Sequence, residues 1–553
     1  MYKRVIPSAA VLSVAVAIAS CGNDDGTPTP PVAVDKVQQV QNVVVIYAEN
    51  RAFDNLFGNF PGAHGLSEVV DATGKATAAY VPQKDRDGRT ILATLPQTWG
   101  GVTAAGVQPV VTQAQSANLP NAPFAIETAF TPTSSAVLDL NTTTRDLYHR
   151  FFENQMQIGT NNDGFAAWAD AGGLTMGHFD NSGSALYKLA QKYVLADQFF
   201  EGAFGGSFLN HQYLICACAP EYPGAASAAA APTIAIVDKD ATGAYLPRLT
   251  TAASSPASAL SGPPVFARSG NITPANYFGD NRFYAVNTMQ APYQPSGNAP
   301  VDATGNNLLF ANPAAATTLP PQTAANIGDL LTARSVTWKW YGGAWNAAVA
   351  DGTRVASAAR SVIYAPSTAR ASPDFQPHHQ PFNYYANFDP VTHAADRAAH
   401  LKDYTDLVSD AAAGTLPAVS FYKPQGNFNQ HEGYANVADG DAHIADLVAK
   451  LQASPQYAHM LIVITYDEFG GVWDHVVPPK GDKLGPGTRI PAILVSPLAK
   501  AGYVDHTPYD TASILRFITR RWGLPTLAGL TARDTALKAN GQPAMGDLSN
   551  ALQ

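Results

Sequence analysis

Two apolar, β-branched runs that each end in carboxylates constrain the fold of this chain more than any other feature. The first is Val43-Val44-Val45-Ile46, which leads through Tyr47-Ala48 into Glu49-Asn50-Arg51. The second is Leu461-Ile462-Val463-Ile464-Thr465-Tyr466, which leads into Asp467-Glu468-Phe469-Gly470-Gly471. Short continuous runs of this kind read as buried strands of a parallel sheet. Similar runs predict strands at Val194–Phe200, Val336–Tyr341, Ala418–Tyr422 and Ile490–Ser496. Helix-like segments lie at Thr144–Gln157, Ser184–Tyr193, Ile327–Ala333, His400–Ala411, Ala442–Leu451 and Thr511–Trp522. Strands alternating with helices predict an α/β fold, with a mostly parallel sheet covered by helices on both faces.

In open α/β sheets ligands bind just beyond the carboxyl ends of the strands. Glu49, Asn50, Asp467 and Glu468 then meet as three carboxylates and an amide. Uncompensated, three carboxylates raise one another's pKa. One divalent cation resolves the conflict, and an all-oxygen set suits Mg²⁺, Ca²⁺ or Mn²⁺. The other reading puts each acid on a separate solvated loop. Gly205-Gly206-Ser207 opens into the apolar, helix-like segment from Phe208 to Leu214. Ser207 is therefore either a nucleophile at a helix N-terminus, where free N–H groups favour an alkoxide and a phosphate, or a plain N-cap. His378 and His379 sit between Pro377 and Pro381, His431 follows the strand ending at Tyr422, and His149 lies on the predicted helix at Thr144–Gln157. Each alone reads as a surface or structural residue. With a metal and a serine they would form a pocket for a phosphoryl group.

At 553 residues the chain can hold one large domain with insertions. A net charge of -9 offers no long-range attraction for a polyanion, so nucleic acid is excluded as a partner. Lys3 and Arg4 precede an apolar run to Ile18 and then Ala19-Ser20-Cys21, a secretory signal too short to span a membrane. Ile18-Ala19-Ser20-Cys21 resembles a bacterial lipoprotein box with Cys21 as the lipidated residue, which predicts export to the periplasm or cell envelope. Residues 1–21 are then signal, 22–40 a flexible linker and 41–553 the catalytic domain. Within it, 221–326 is rich in Ala, Pro, Ser and Thr and reads as an insertion or cap. Cys216 and Cys218, one residue apart in an apolar segment, read as small buried side chains rather than a disulfide.

The blocks Glu49-Asn50-Arg51-Ala52-Phe53-Asp54 and Tyr466-Asp467-Glu468-Phe469-Gly470-Gly471-Val472-Trp473-Asp474-His475 resemble the two signature blocks of the bacterial phospholipase C/acid phosphatase family, within the alkaline-phosphatase-like superfamily. The likeness extends through Asp146 to His149, Asn162 to Phe165, Gly205-Gly206-Ser207 with Asn210-His211, His378 to Phe382, and Gln425 to His431. It implies that Glu49, Asn50, Asp467 and Glu468 hold one divalent metal ion and that Ser207 is the nucleophile, with Asn50 also near the phosphate. His149, His378, His379 and His431 would surround the phosphoryl group or protonate the leaving alcohol, and protonated histidines would favour mildly acidic pH. Asp474-His475 either supports the ligands or stabilises a turn. Serine at 207, together with the Gly-Gly-Ser and His-His blocks, points to the acid phosphatase branch and a small phosphate ester as substrate. Phospholipase C is the alternative, and a non-catalytic surface binding lipoprotein a second one. The nucleophile block of sulfatases is absent.

Overall fold

In the computed structural model the described residues run from Asp35 to Gln553, except 131–136, 223–236, 240–244, 250, 267–271, 274–276, 279, 281, 302–304 and 366–372. The signal and lipid-box reading of 1–21, with Cys21, lies outside the described residues. Of the linker 22–40, the end is ordered: Lys36–Gln39 form a 3-10 turn, and Val37 and Val40 are buried. The folded unit therefore starts at Lys36, ahead of the expected residue 41.

Eight strands form the central sheet: β1 (Asn42–Ala48), β2 (Val194–Ala196), β3 (Trp338–Gly342), β4 (Leu401–Asp403), β5 (Val419–Lys423), β6 (Met460–Tyr466), β7 (Ala492–Val495) and β8 (Tyr503–Asp505). Their order is β4-β3-β5-β1-β6-β7-β2-β8. Every neighbour pair is parallel except those of β7, which runs against both β6 and β2. All residues of β1, β5 and β6 are buried, so both faces of the sheet's centre are covered. That is why these strands carry unbroken apolar runs instead of alternation. Register pairs Ala48 with Tyr466 and Ile46 with Tyr422. The three strands therefore run out at one edge, and the residues that follow them emerge side by side.

Six helices matter for the site: α1 (Phe151–Ile158), α2 (Ala185–Lys192), α3 (Ser207–Cys216), α4 (Tyr404–Ala413), α5 (Val437–Gln452) and α6 (Thr511–Trp522). Side chains cap most of these starts. Ser184 accepts from Tyr187 N–H at α2, Asn436 from Asp439 N–H at α5, and Asp510 forms a capping box with Ser513 at α6. α3 differs, because its N-cap is Gly206 and no side chain caps it.

The predicted helix at Thr144–Gln157 starts only at Phe151. Tertiary partners take the backbone before it: Arg145 N–H donates to Val102 O at 2.8 Å, and Tyr148 N–H to Asp170 Oδ1 at 2.8 Å. Those bonds hold the segment extended against its helical pattern. The predicted helix at His400–Ala411 is likewise interrupted, with a helix to His400, then β4, then α4. Cys216 and Cys218 are joined by a disulfide, contrary to the expectation of free thiols. α3 ends at Cys216, and Ala217 takes a left-handed conformation (φ 51°), so the two cysteines are not both helical and their Cα atoms come 5.1 Å apart. Among its described residues, 221–326 holds only two-stranded ribbons and 3-10 turns.

Candidate active site

The ends of β1 and β6 lock together through their backbones. Asp467 N–H donates to Ala48 O at 3.0 Å and Arg51 N–H to Glu468 O at 3.1 Å. Asn50, in a left-handed conformation (φ 62°), donates its N–H to Asp467 Oδ1 at 3.2 Å. Gly470 has φ +67°, and a Cβ there would stand 2.4 Å from Asn50 O. The glycine thus clears room for Asn50 itself.

Glu49, Asn50, Asp467 and Glu468 are all fully buried. Glu49 accepts from Asn429 Nδ2 and from Tyr434 OH (2.9 Å), pairs with His379, and lies 3.3 Å from Lys423 Nζ. The same ammonium stands 3.5 Å from Asp467 Oδ2. Burial alone would raise the Glu49 pKa, but His379 and Lys423 hold it well below the usual carboxylate range. Asp467 is pushed up to about 7 by burial, against the pull of Lys423. Glu468 is raised well above its ordinary value by burial, with Asp467 and Glu201 adding to the effect. One lysine therefore serves two of the three carboxylates, and the cluster is short of positive charge.

Ser207 opens α3 at its first helical position. Its Oγ caps nothing; it donates to Glu468 Oε1 at 3.3 Å. Gly205 (φ +91°) lets the preceding turn pass so close to the 150–151 backbone that a Cβ would stand 2.3 Å from Phe151 N. That approach sets His149 beside the serine. His149 Nδ1 donates to Leu147 O at 2.6 Å, which leaves Nε2 facing Asn50 Nδ2 at 3.5 Å and Glu468 Oε1 at 3.5 Å. Ser207, His149, His378 and His431 share the wall of an open cavity of about 470 Å³. Asn287 and Thr288, from the 221–326 segment, also line it. His379 is not in that wall; it faces Glu49 and stacks on His211 with ring centroids 4.9 Å apart. His431 donates Nδ1–H to Glu432 O at 2.5 Å and meets His149 edge-on at 5.5 Å.

Burial lowers all four histidines, His149 and His379 to about 4. In the free protein they are neutral near pH 7. Neutral rings keep a lone pair for a proton or a cation.

Residues 40–525 match the sequence profile of the Phosphoesterase family. This chain belongs to that family. Non-hemolytic phospholipase C of Pseudomonas aeruginosa is 26% identical over 150 residues, which is 21% of this chain and 22% of the relative. Phospholipase C B of Mycobacterium tuberculosis is 29% identical over 151 residues, 23% of this chain and 29% of the relative. The alignments thus span less than a third of these curated relatives. A protein of the alkaline phosphatase superfamily from Vibrio parahaemolyticus overlays with a TM-score of 0.27 and 12% identity, over 64% of each chain, too low a score to bear on the fold.

The phosphoesterase cluster has the chemistry of a cation site. Asn50 Oδ1 is a buried oxygen without a hydrogen-bond partner, and Glu49 Oε1 and Asp467 Oδ2 meet only ion-pair partners. Ligand atoms of Glu49, His378 and His379 come within 4.8 Å of one another, as do those of Asp146, His149 and His431. Both groups include imidazole nitrogens. The sequence reading missed Lys423, the lone base ending an apolar strand, which is a visible signal. It also assigned no role to His211, four residues after Ser207 and hence on the same helix face. His211 Nδ1 donates to Ser207 O at 2.7 Å and lies 3.7 Å from Asp467 Oδ2. Among the described residues, no helix is long and apolar enough to cross a membrane.

Proposed function

We propose that this phosphoesterase is a metal-dependent phosphoric ester hydrolase, an acid phosphatase that cleaves phosphomonoesters through a phosphoserine at Ser207. The observation that carries this reading is the Ser207 hydroxyl: it leads a buried helix, caps nothing, donates to a carboxyl group and lines a cavity. Glu49, Asn50, Asp467 and Glu468 would hold the divalent cation, which when bound polarises a phosphoryl oxygen and lowers the pKa of the serine.

The first step forms an Oγ–P bond at Ser207 and breaks the bond from phosphorus to the leaving alcohol. The serine proton passes toward the Glu468 carboxylate, which its hydroxyl already faces at 3.3 Å. The leaving oxygen takes a proton from His149 or His431, whose rings regain protons once a phosphate dianion enters the cavity. Water then cleaves the phosphoserine by the reverse assignment of protons. The α3 N–H groups and Asn50 Nδ2 supply donors for the equatorial oxygens. The 221–326 segment acts as a cap, since Asn287 and Thr288 complete the cavity wall. Export with a lipid anchor at Cys21 belongs to the same proposal; metabolic labelling with a fatty acid tests it.

Ser207→Ala should lower turnover of a chromogenic phosphomonoester by at least about 10³-fold. Near-wild-type turnover would remove the serine from the mechanism. The names of the curated relatives favour phospholipase C as a second reading. Parallel assays of a phosphomonoester and of phosphatidylcholine vesicles decide between the two.

A further inference from the structure

A second group of ligand-type side chains lies at the same carboxyl ends of the strands, displaced sideways to β2 and the outermost strand β8. β2 and β8 pair with Ala196 opposite Asp505, and Asp197 and His506 follow directly. Asp197 N–H donates to Asp505 O at 3.1 Å, which keeps the two strand exits in step. His64 reaches them from the loop after Phe57. Its own N–H donates to Asp197 Oδ2 at 2.7 Å, and its carbonyl accepts from Arg489 Nη1 at 2.6 Å. His506 Nδ1 lies 2.8 Å from the same Asp197 Oδ2, and the two imidazoles meet edge-on with centroids 4.8 Å apart. One ligand atom each of His64, Asp197 and His506 fall within 4.8 Å of one another.

Three features point beyond a hydrogen-bonded group. Asp197 is fully buried, yet its Oδ1 has no hydrogen-bond partner. Arg489 donates Nη1 to the Asp197 carbonyl at 2.9 Å and pairs its other nitrogens with Asp54 and Asp474, so it does not neutralise the Asp197 carboxylate. His64 is also backed by a carboxylate outside the group, Glu68 Oε1 at 2.7 Å, while His506 Nδ1 rests on Asp197 itself. Such backing orients imidazoles that bind metals. The rings are half-exposed, at 48% and 49%, and so are open to ions from solvent. Two imidazole nitrogens and one carboxylate on sheet-anchored backbone suit a borderline-soft ion, with water completing the set.

We propose that His64, Asp197 and His506 bind one Zn²⁺-class ion that staples the loop after Phe57 to the sheet edge. The site is separate from the catalytic cluster and does not rest on the proposed reaction. Full-length chain stripped with a chelator and refilled with Zn²⁺ should retain about one equivalent more than His64→Ala/His506→Ala, measured by elemental analysis. Zn²⁺ should also raise the melting temperature of the native chain more than that of the variant. Equal zinc contents would overturn the proposal. If circular dichroism shows the double variant misfolded, His64→Gln replaces it and should bind Zn²⁺ at least roughly tenfold more weakly; unchanged affinity overturns the site. Ser207→Ala should keep this ion, so failure of the proposed hydrolysis and failure of this site read out separately.

Discussion

Glu49 and Asp467 share one ammonium, whereas Asp54 and Asp474, a few residues further along the same two loops, share a guanidinium and an imidazole. In the second group Arg489 donates to Asp54 Oδ1 and Asp474 Oδ1, both at 3.0 Å. His475 Nδ1 binds Asp54 Oδ2 at 2.6 Å, and Asp54 N–H donates to Asp474 Oδ2 at 3.0 Å. Neither carboxylate of this pair has a buried oxygen left without a hydrogen bond, while Glu49 Oε1 and Asp467 Oδ2 meet only ion-pair partners. Two acid-bearing blocks that read alike in sequence thus divide into scaffold and site. Buried carboxylates matched one for one by cations hold loops in place. Buried carboxylates left short of cations create a demand for a ligand.

The scaffold half breaks first. Arg489→Met leaves two buried carboxylates uncompensated and should cost about 3–5 kcal/mol in urea unfolding, with activity lost only as the fold is lost. A smaller but directional effect comes from pH. Burial would lower the His475 pKa, but the charge and hydrogen bond of Asp54 raise it to about 9. A folded pKa above the ordinary 6.5 stabilises fully below about pH 6.5, and the gain is lost as pH rises through 9. The alkaline limb should amount to roughly 3 kcal/mol, and His475→Gln should flatten it. An unchanged limb in that variant would unseat His475 from the scaffold.

The site half should answer in activity, with stability little changed. Glu49→Gln should lower turnover on the order of 10²-fold while the melting temperature does not fall. A melting temperature that drops as far as that of Arg489→Met would erase the distinction between the two groups. The smallest expected effect is at Lys423. Lys423→Met removes the one ammonium that competes for Glu49 and Asp467, so calorimetry should show roughly tenfold tighter binding of Mn²⁺. Weaker binding would instead make the lysine a support for the cation.

The central strands were legible because burial on both faces forces unbroken apolar runs, and β1 and β6 carry them. β4 and β8 were not, since three residues at a sheet edge leave no periodic signal. The antiparallel direction of β7 was hidden too, as Ala492–Val495 reads the same in either sense. At the site, residue types announced the carboxylates, Ser207 and the histidines. Their division of labour did not show, because it depends on who meets whom. His378 and His379 are adjacent in the chain, yet only His378 lines the cavity while His379 turns to Glu49. The extended Thr144–Arg150 segment was misread for the same reason, its backbone being claimed by Val102, Asp170 and Gly433.

The hydrogen bond from Asn50 N–H to Asp467 Oδ1 spans 417 residues of chain. Glu468, the acceptor for Ser207, lies 261 residues beyond it. A chain cut ahead of β6 would therefore hold Ser207 and Glu49 without their counterparts. Both bonds depend on β6 lying against β1, and the proposed site is complete only with that pairing.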